Sequence, residues 1–223
     1  MECFALLDTV AGPRRIQTAA FALATAALTF ATEPNMTSRV WSFDSDTTGR
    51  LAQGFSAEVG EWQVKTDDTA PSKEHVLAQV AKSPKPTYNV ALLSGTKARD
   101  LDLSVQLRPV TGEIDQGGGV VWRAKDAKNY YICRYNPLED NFRVYKVEDG
   151  KRTELASADV ARSPGWHAIR VTMKGEHIAC YLDGKKLMES NDATFEEAGK
   201  IGLWTKADAQ THFDDLTLKA EPM

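Results

Sequence analysis

The sequence lacks most of the features by which nucleic-acid-binding proteins, metalloenzymes and serine hydrolases are recognised. Its 27 basic and 31 acidic residues give a net charge of −4, so it has no basic excess and no nucleic-acid partner is expected. None of its four histidines stands at a metal-ligand spacing from another histidine or a cysteine. Ser104, Ser157 and Ser163 have no nucleophile-elbow context. The glycines at 117–119 precede a strand pattern rather than a helix, which excludes a phosphate loop.

The sequence also lacks a long apolar run. The uncharged run Ala19–Phe30 is shorter than the roughly 20 residues that span a bilayer, so no membrane span is expected in the mature chain. Arg14 and Arg15 precede this run and Ala31 follows it, an arrangement typical of a cleaved export signal. We therefore predict a signal over residues 1–31 and a secreted or periplasmic protein of a bacterial-type cell. The alternative is a buried amphipathic helix.

Cysteine is scarce, with three residues in the chain. Cys3 falls within the predicted signal, whereas Cys133 and Cys180 each lie in the middle of a strand pattern among apolar neighbours. Two outcomes stay open for this pair. It forms a disulfide in an oxidising compartment if the two strands adjoin, or it remains as two buried free thiols, which the apolar surroundings favour.

Helical periodicity is absent after residue 38, and short β-branched and aromatic segments separated by turn residues take its place. In Leu101–Arg108 every second residue is apolar, which is typical of a half-buried strand. Asp183-Gly184 between two such segments predicts a hairpin. We predict one all-β domain over residues 38–220, a sandwich or barrel, with one short helical turn at 193–198. The predicted strands cover 40–44, 54–58, 61–67, 75–81, 88–94, 101–108, 117–125, 129–136, 141–148, 152–158, 165–174, 177–183, 185–189, 199–205 and 211–219.

Several motifs follow one another along nearly the whole predicted mature chain. They are W-S-F-D-S-D at 41–46, G-E-W-Q-V at 60–64, G-G-G-V-V-W-R-A-K-D-A-K-N-Y-Y at 117–131, G-W-H-A-I-R-V at 165–171, Y-L-D-G-K at 181–185, K-I-G-L-W-T at 200–205 and H-F-D-D-L-T-L at 212–218. Together they resemble the laminin-G-like branch of the concanavalin A-like lectin/glucanase superfamily, near the 3-keto-disaccharide hydrolase domain family. The resemblance implies a jelly-roll sandwich of two antiparallel sheets, one concave and one convex, with neighbouring first and last strands. It also implies that sugars, where bound, lie across the concave sheet or at its rim.

Glu113 and Asp115 stand two residues apart, like the first two acids of the E-x-D-x-x-E strand motif in family 16 glucanases of this superfamily. Such a strand places its acids on one face, and a retaining mechanism needs two carboxyl groups about 5–5.5 Å apart. Gly117 and Gly118 occupy the positions where the third acid is required. We therefore predict no catalytic residues and interpret the E-I-D as an acidic, solvated turn. The glycines predict close backbone packing or a bulge.

Three arginines fall in successive predicted strands, with aromatic and amide side chains around them. Arginine guanidinium groups, side-chain amides and carboxylates form hydrogen bonds with sugar hydroxyls, and aromatic rings stack on the apolar face of a sugar. Tyr130 is preferred to Tyr131 because it alternates with Arg134. The alternative is that the aromatics are core and that the arginines are solvated at strand edges or form structural ion pairs. The predicted carbohydrate-binding residues are Trp122, Arg123, Tyr130, Arg134, Asn136, Glu139, Arg143 and Trp204.

Asp44 comes from the first predicted strand, and Asp214 and Asp215 come from the last. If these strands pair, as the resemblance implies, the three carboxylates offer oxygen ligands of the kind that Ca²⁺ prefers. We predict a structural Ca²⁺ site there and no required cofactor. The alternative is that Asp44 and Asp214 cap turns.

These observations favour an exported, non-catalytic, lectin-like protein that binds a carbohydrate. A glycoside-active enzyme resembling the 3-keto-disaccharide hydrolases is the second hypothesis, which the incomplete set of acids disfavours. A structural envelope protein that binds no sugar is the third.

Overall fold

The computed structural model describes residues 36–221, and the predicted export signal, which stays a prediction, lies outside them. The described residues belong to one compact unit and form strands joined by turns. The strands are β1 (Thr37–Trp41), β2 (Phe55–Val59), β3 (Trp62–Thr66), β4 (His75–Gln79), β5 (Tyr88–Ala98), β6 (Leu101–Thr111), β7 (Gly118–Asp126), β8 (Asn129–Asn136), β9 (Asn141–Glu148), β10 (Lys151–Asp159), β11 (His167–Lys174), β12 (His177–Leu182), β13 (Lys185–Asn191), β14 (Gly199–Lys206) and β15 (Gln210–Ala220).

The all-β prediction is confirmed, with one correction between β13 and β14. Residues 193–198 form an irregular connection and not the predicted helical turn. Among the described residues, no helix is long and apolar enough to cross a membrane.

The strands form two antiparallel sheets that pack as a sandwich. The eight-stranded sheet has the order β13-β12-β11-β6-β15-β4-β3, and β1 pairs with the C-terminal half of β15. The seven-stranded sheet has the order β10-β9-β8-β7-β14-β5-β2. The first strand therefore adjoins the last, with Thr37 opposite Ala220. This arrangement confirms the jelly-roll sandwich that the sequence resemblance implied.

The main core lies between the sheets and follows from the two-residue period of the strands. β6 turns its odd-numbered residues from Leu101 to Leu107 into this core and leaves the even-numbered ones half-buried. β8 contributes Tyr131, Cys133 and Tyr135 from the opposite sheet. Each fully buried large apolar side chain contributes about 1.5–3 kcal/mol, so this layer holds the two sheets together.

A second apolar layer covers the outer face of the seven-stranded sheet, the face turned away from the main core. Tyr130, Ile132, Tyr145 and Trp204 belong to this layer and are buried. Because β7 and β8 bury side chains on both faces, their sequences read as nearly continuous apolar runs. The predicted grouping of Tyr130 apart from Tyr131 is confirmed, since the two tyrosines belong to different layers.

Cys133 and Cys180 are free thiols and both are fully buried. They come from different sheets and contact each other across the main core. Burial raises the pKa of the Cys133 thiol, and the neighbouring Cys180 raises it further. The structure thus has the free-thiol alternative, and the raised pKa makes the Cys133 thiol harder to ionise.

Gly117 and the first two residues of β7, Gly118 and Gly119, allow the backbones of neighbouring strands to approach closely. A Cβ atom at Gly117 would overlap the carbonyl oxygen of Tyr135, and one at Gly119 would overlap that of Cys133. At Gly118 the obstacle is the carbonyl oxygen of Trp204, 2.6 Å away on the other side of β7. The prediction of close packing at this triplet is confirmed.

Candidate functional site

Trp122 does not lie on the outer face of the seven-stranded sheet. Its ring is buried between the sheets and stacks on Tyr131, with the ring centroids 5.5 Å apart. Its indole N–H donates to Sδ of Met173 in the opposite sheet at 3.0 Å. The prediction that Trp122 contacts a ligand is wrong, because its place in β7 turns it into the main core.

Arg123 also lies away from the predicted face. A β-bulge interrupts the register of β7 at this point, and Arg123 has a left-handed φ of 46°. The bulge turns the guanidinium to the rim, where it donates to the carbonyl oxygens of Arg99, Gly175 and Phe195, each at 2.8 Å. Arg123 is therefore a structural clamp on three connections, and its placement among the sugar-binding residues is wrong.

Arg134 and Arg143 do share the outer face, because they stand opposite each other in the pairing of β8 with β9. Nη2 of Arg134 lies 3.2 Å from the hydroxyl oxygen of Tyr145, and Nη1 of Arg143 lies 3.5 Å from the same atom. Arg134 also donates to Oε2 of Glu139 at 2.7 Å and to Oδ1 of Asn141 at 2.6 Å. We call these five residues the Arg134 cluster.

The Arg134 cluster is buried at its base and open at its rim. The side chain of Arg134 is 3% exposed, whereas those of Glu139 and Arg143 are 42% and 33% exposed. Burial raises the pKa of Glu139, but its contacts with Arg134 outweigh burial and hold the pKa below its ordinary value. Glu139 is therefore an ionised acceptor beside two cationic donors, which is a suitable arrangement for binding hydroxyl groups.

Tyr130 and Trp204 lie on the same outer face, within its apolar layer. The indole N–H of Trp204 donates to the hydroxyl oxygen of Tyr130 at 3.1 Å, and the rings of Trp204 and Tyr88 are 5.5 Å apart. Burial raises the pKa of Tyr130, so its hydroxyl stays neutral. Their position agrees with the predicted face, and their contact with a ligand stays a prediction.

The interpretation of the E-I-D as a solvated turn is wrong for Asp115, which is buried. Glu113 is exposed, but the Asp115 side chain is 4% exposed and accepts from Nζ of Lys206 at 2.6 Å and Nδ2 of Asn136 at 2.9 Å. Burial raises the pKa of Asp115, with the Lys206 ammonium opposing this effect. The carboxylate of Asp208 holds the turn by accepting from three of its backbone amides.

Sequence reasoning missed the roles of Tyr145, Lys206 and Asp115. Tyr145 alternates with Arg143 in β9, and Lys206 alternates with Trp204 in β14, so the two-residue period places both on the outer face. No local signal identifies Asp115, because its partner Lys206 is 91 residues away in the chain.

The predicted calcium ligands do not form a shared set. Asp214 is buried and accepts from the amide and hydroxyl of Ser72 at 2.8 and 3.0 Å. Asp44 accepts from the amide of His75 at 3.4 Å, and Asp215 donates its own amide to Asp214 at 2.7 Å. Within residues 36–221, no group of three His, Cys, Asp or Glu side chains is arranged to hold a metal ion. The structure favours the capping alternative, and calcium binding stays a prediction.

A second ionised cluster lies at the eight-stranded sheet. Asp67 is buried and accepts from Nδ1 of His212 at 2.7 Å, from Nε of Arg108 at 3.1 Å and from the hydroxyl of Thr69 at 2.7 Å. Burial raises the pKa of Asp67, but these donors outweigh it and hold the pKa well below its ordinary value. Burial lowers the pKa of His212, against the opposing effect of Asp67.

We expect the cluster around Asp67 to make the fold sensitive to acid. The stabilisation from Asp67 is complete above the unfolded pKa of about 4 and is lost as the pH falls through the lower folded pKa. His212 acts in the same direction, since its folded pKa lies below the unfolded value of about 6.5. An Asp67→Asn variant should be less stable than the wild type by about 3 kcal/mol at neutral pH, and this difference should shrink below pH 4 in urea unfolding. The exposed neighbour Asp68→Asn is the control, and equal behaviour of the two variants would contradict the expectation.

Similar architectures occur among solved structures. The carbohydrate-binding module CBM66 from Bacillus subtilis superposes with a TM-score of 0.64 at 19% identity, covering 78% of this chain and 99% of that one. The apo Crh5 transglycosylase gives 0.57 at 8% identity, covering 83% and 85%. A protein with a galectin-like fold from Bacillus subtilis gives 0.53 at 10% identity, covering 75% and 90%. At these identities the likeness concerns the fold.

The family relationship comes from the sequence itself. No curated protein matches the chain, but residues 43–219 match a carbohydrate-active family described as the 3-keto-alpha-glucoside-1,2-lyase-like domain. The match runs from the turn after β1 almost to the end of β15 and so includes both sheets and the Arg134 cluster. The chain belongs to the family of 3-keto-alpha-glucoside-1,2-lyase-like domains.

Proposed function

We propose that the protein binds a carbohydrate on the outer face of the seven-stranded sheet, at the Arg134 cluster. The observation that carries the proposal is the convergence of Arg134 and Arg143 on the hydroxyl of Tyr145, with Arg143 and Glu139 open to solvent. The solvent-exposed Arg143 and the ionised Glu139 supply a donor and an acceptor for adjacent sugar hydroxyls, and the buried Arg134 holds Glu139 in place. The likeness to the module CBM66, whose name describes carbohydrate binding, supports this function.

The site binds mainly through polar contacts and not by stacking. The guanidinium of Arg152 lies 4.2 Å from the ring centroid of Tyr145 and 5.6 Å from that of Tyr88, so it covers both rings. A sugar that reaches this face therefore meets charged groups first, among them Glu154, which lies 3.4 Å from Nε of Arg143. We expect selectivity for the pattern of hydroxyls on the ligand.

Binding to a glycan array, followed by calorimetry with the best ligand, tests this function. Arg143→Ala should weaken binding roughly 10- to 100-fold, the loss expected for one or two hydrogen bonds to a charged group. Arg134→Ala should have the larger effect because Arg134 also orients Glu139 and Asn141. The control is Arg170→Ala, an arginine of the other sheet that is 47% exposed and bound to Asp102. Absence of binding by the wild type to any glycan would overturn the proposal.

A second candidate is catalysis on 3-keto-α-glucosides, and the buried Asp115 favours it. A ketone at C3 acidifies the proton on C2, and a base that removes this proton allows the C1–O bond to break with formation of a C1–C2 double bond. A carboxylate whose pKa is raised by burial is a suitable base, and the ammonium of Lys206, 2.6 Å away, can protonate the leaving oxygen. Membership of the family of 3-keto-alpha-glucoside-1,2-lyase-like domains supports this reaction class.

Incubation with 3-keto-α-glucosides separates the two candidates. If the protein is a lyase, Asp115→Asn should abolish turnover and leave ligand binding within a fewfold of the wild type. The exposed Glu113→Gln is the matched control and should retain turnover. A wild-type protein that binds glycans but turns over no 3-keto-glucoside would remove the second candidate and retain the first.

A further inference from the structure

We propose that Ser163, His167 and Asp183 form a nucleophilic triad, outside the Arg134 cluster, that hydrolyses small carboxylic esters. Oγ of Ser163 lies 3.3 Å from Nε2 of His167, and Nδ1 of His167 lies 2.8 Å from Oδ2 of Asp183. Triads of this kind occur in several chain orders and are recognised by geometry and not by sequence position. Here the nucleophile stands on an exposed connection without the usual elbow motif, so sequence reasoning did not find it.

The fold holds each member in place. Ser163 lies between β10 and β11, and its amide donates to the hydroxyl oxygen of Tyr135 at 3.3 Å. His167 begins β11, and its ring, 6% exposed, packs 4.8 Å from the ring of Tyr135. Asp183 occupies the turn between β12 and β13, where Oδ1 accepts from the amide of Ala168 at 2.8 Å. The imidazole is therefore fixed between the other two members.

Asp183 determines which nitrogen of His167 carries the proton in the neutral ring. A carboxylate only accepts, so Nδ1–H donates to Asp183 and Nε2 presents its lone pair to the hydroxyl of Ser163. The carbonyl oxygen of Ser163 lies 3.2 Å from Nε2 and accepts a hydrogen bond once that nitrogen is protonated. Nε2 therefore has a hydrogen-bond partner in the neutral ring and another in the protonated ring, as a general base requires.

Ser163 faces a cleft that fits a small ester. The cleft has a volume of about 590 Å³, within the range of ligand sites. Pro109, Val110 and Pro137 give it an apolar wall for a short acyl chain. Arg162 lines the same cleft next to the nucleophile, and its positive charge stabilises the oxyanion that forms on the carbonyl oxygen.

The reaction proceeds through an acyl-enzyme. Oγ of Ser163 bonds to the carbonyl carbon of the ester while its proton passes to Nε2 of His167. The bond from carbon to the alcohol oxygen then breaks, and the leaving alcohol takes the proton from Nε2. Water attacks the acyl-serine with His167 again as base, which releases the carboxylic acid and restores Ser163.

Two measurements on the intact protein test the triad. A fluorophosphonate probe should add one label, and peptide mapping should place it on Ser163. Hydrolysis of p-nitrophenyl acetate should exceed the buffer rate, and Ser163→Ala should return it to that rate. Asp183→Asn, at a side chain that is 52% exposed, should keep the fold and lower turnover by about 10²- to 10⁴-fold, because it removes the acceptor that orients the ring.

Ser157→Ala is the matched control, since Ser157 is bonded to Arg143 and lies outside the triad. It should keep both the label and the wild-type rate. A label at any residue other than Ser163, or hydrolysis unchanged in Ser163→Ala, would overturn the proposal. Neither result depends on glycan binding, so these measurements test the triad independently of the proposed sugar site.

Discussion

Replacement of Arg123 by methionine is expected to lower the free energy of unfolding by about 3–5 kcal/mol, the range for removing one partner of a buried ionic network. The side chain is 1% exposed, and it donates to three backbone carbonyl oxygens and to Asp100 at 3.3 Å. Methionine fills a similar volume but donates nothing, so three backbone carbonyl groups lose the buried donor that they share. Each such group costs about 1–3 kcal/mol. The loss is a large part of the total stability of a typical domain.

Urea unfolding followed by tryptophan fluorescence measures this change. Arg170→Met is the matched control, because Arg170 makes two short hydrogen bonds to Asp102 at an exposed position. A surface pair of this kind contributes about 0–1 kcal/mol. Similar losses in the two variants would show that Arg123 does not act as a clamp.

Gly119→Ala is expected to destabilise the protein by about 3 kcal/mol or more, at the upper end of what overpacking costs. The added methyl group would overlap the carbonyl oxygen of Cys133 and lie 2.7 Å from Cα of Arg134. Both obstacles are backbone atoms of β8, which is held by β7 on one side and β9 on the other. β8 cannot move away from β7 without losing hydrogen bonds to its neighbouring strands, and any such shift also displaces Arg134. We therefore expect loss of glycan binding together with loss of stability.

Gly150→Ala is the control for this substitution. Gly150 has a φ of 76°, and an added Cβ meets no atom within 4 Å. The alanine is therefore destabilising only because it must adopt a left-handed backbone conformation, which costs about 1–2 kcal/mol. Thermal unfolding and glycan binding of both variants make the comparison. If Gly119→Ala were no worse than Gly150→Ala, the close approach of β7 and β8 would not be what the glycine provides.

The strands were predictable because alternation is a local property. Leu101–Arg108 shows the period of two, and β6 follows it without interruption. The same rule placed Arg134 and Tyr130 on one face, since β8 has no bulge between them. It failed at Arg123, where one irregular residue with a left-handed φ redirects the side chain. A bulge of this kind has no signal in the sequence of a strand that already reads as continuously apolar.

The site was less predictable because its contacts join distant parts of the chain. Asp115 is a turn residue whose burial depends on Lys206 and Asn136, and the turn itself is tied to Asp208. The contact of His167 with Asp183 depends in turn on the pairing of β11 with β12. Composition and spacing identify residue types that are able to do chemistry. Topology decides which of them meet.

The sheet order has a consequence for how this chain is made. Among residues 36–221, β14 and β15 come after all the other strands, yet β14 lies between β7 and β5, and β15 lies between β6 and β4. When a ribosome has released only the first thirteen strands, both sheets are still divided into halves without a common neighbour. Closure must therefore wait for residues 199–220 and occurs in both sheets at nearly the same time. The nascent chain therefore exposes unpaired strand edges until residues 199–220 have left the ribosome, and such edges favour aggregation during that interval.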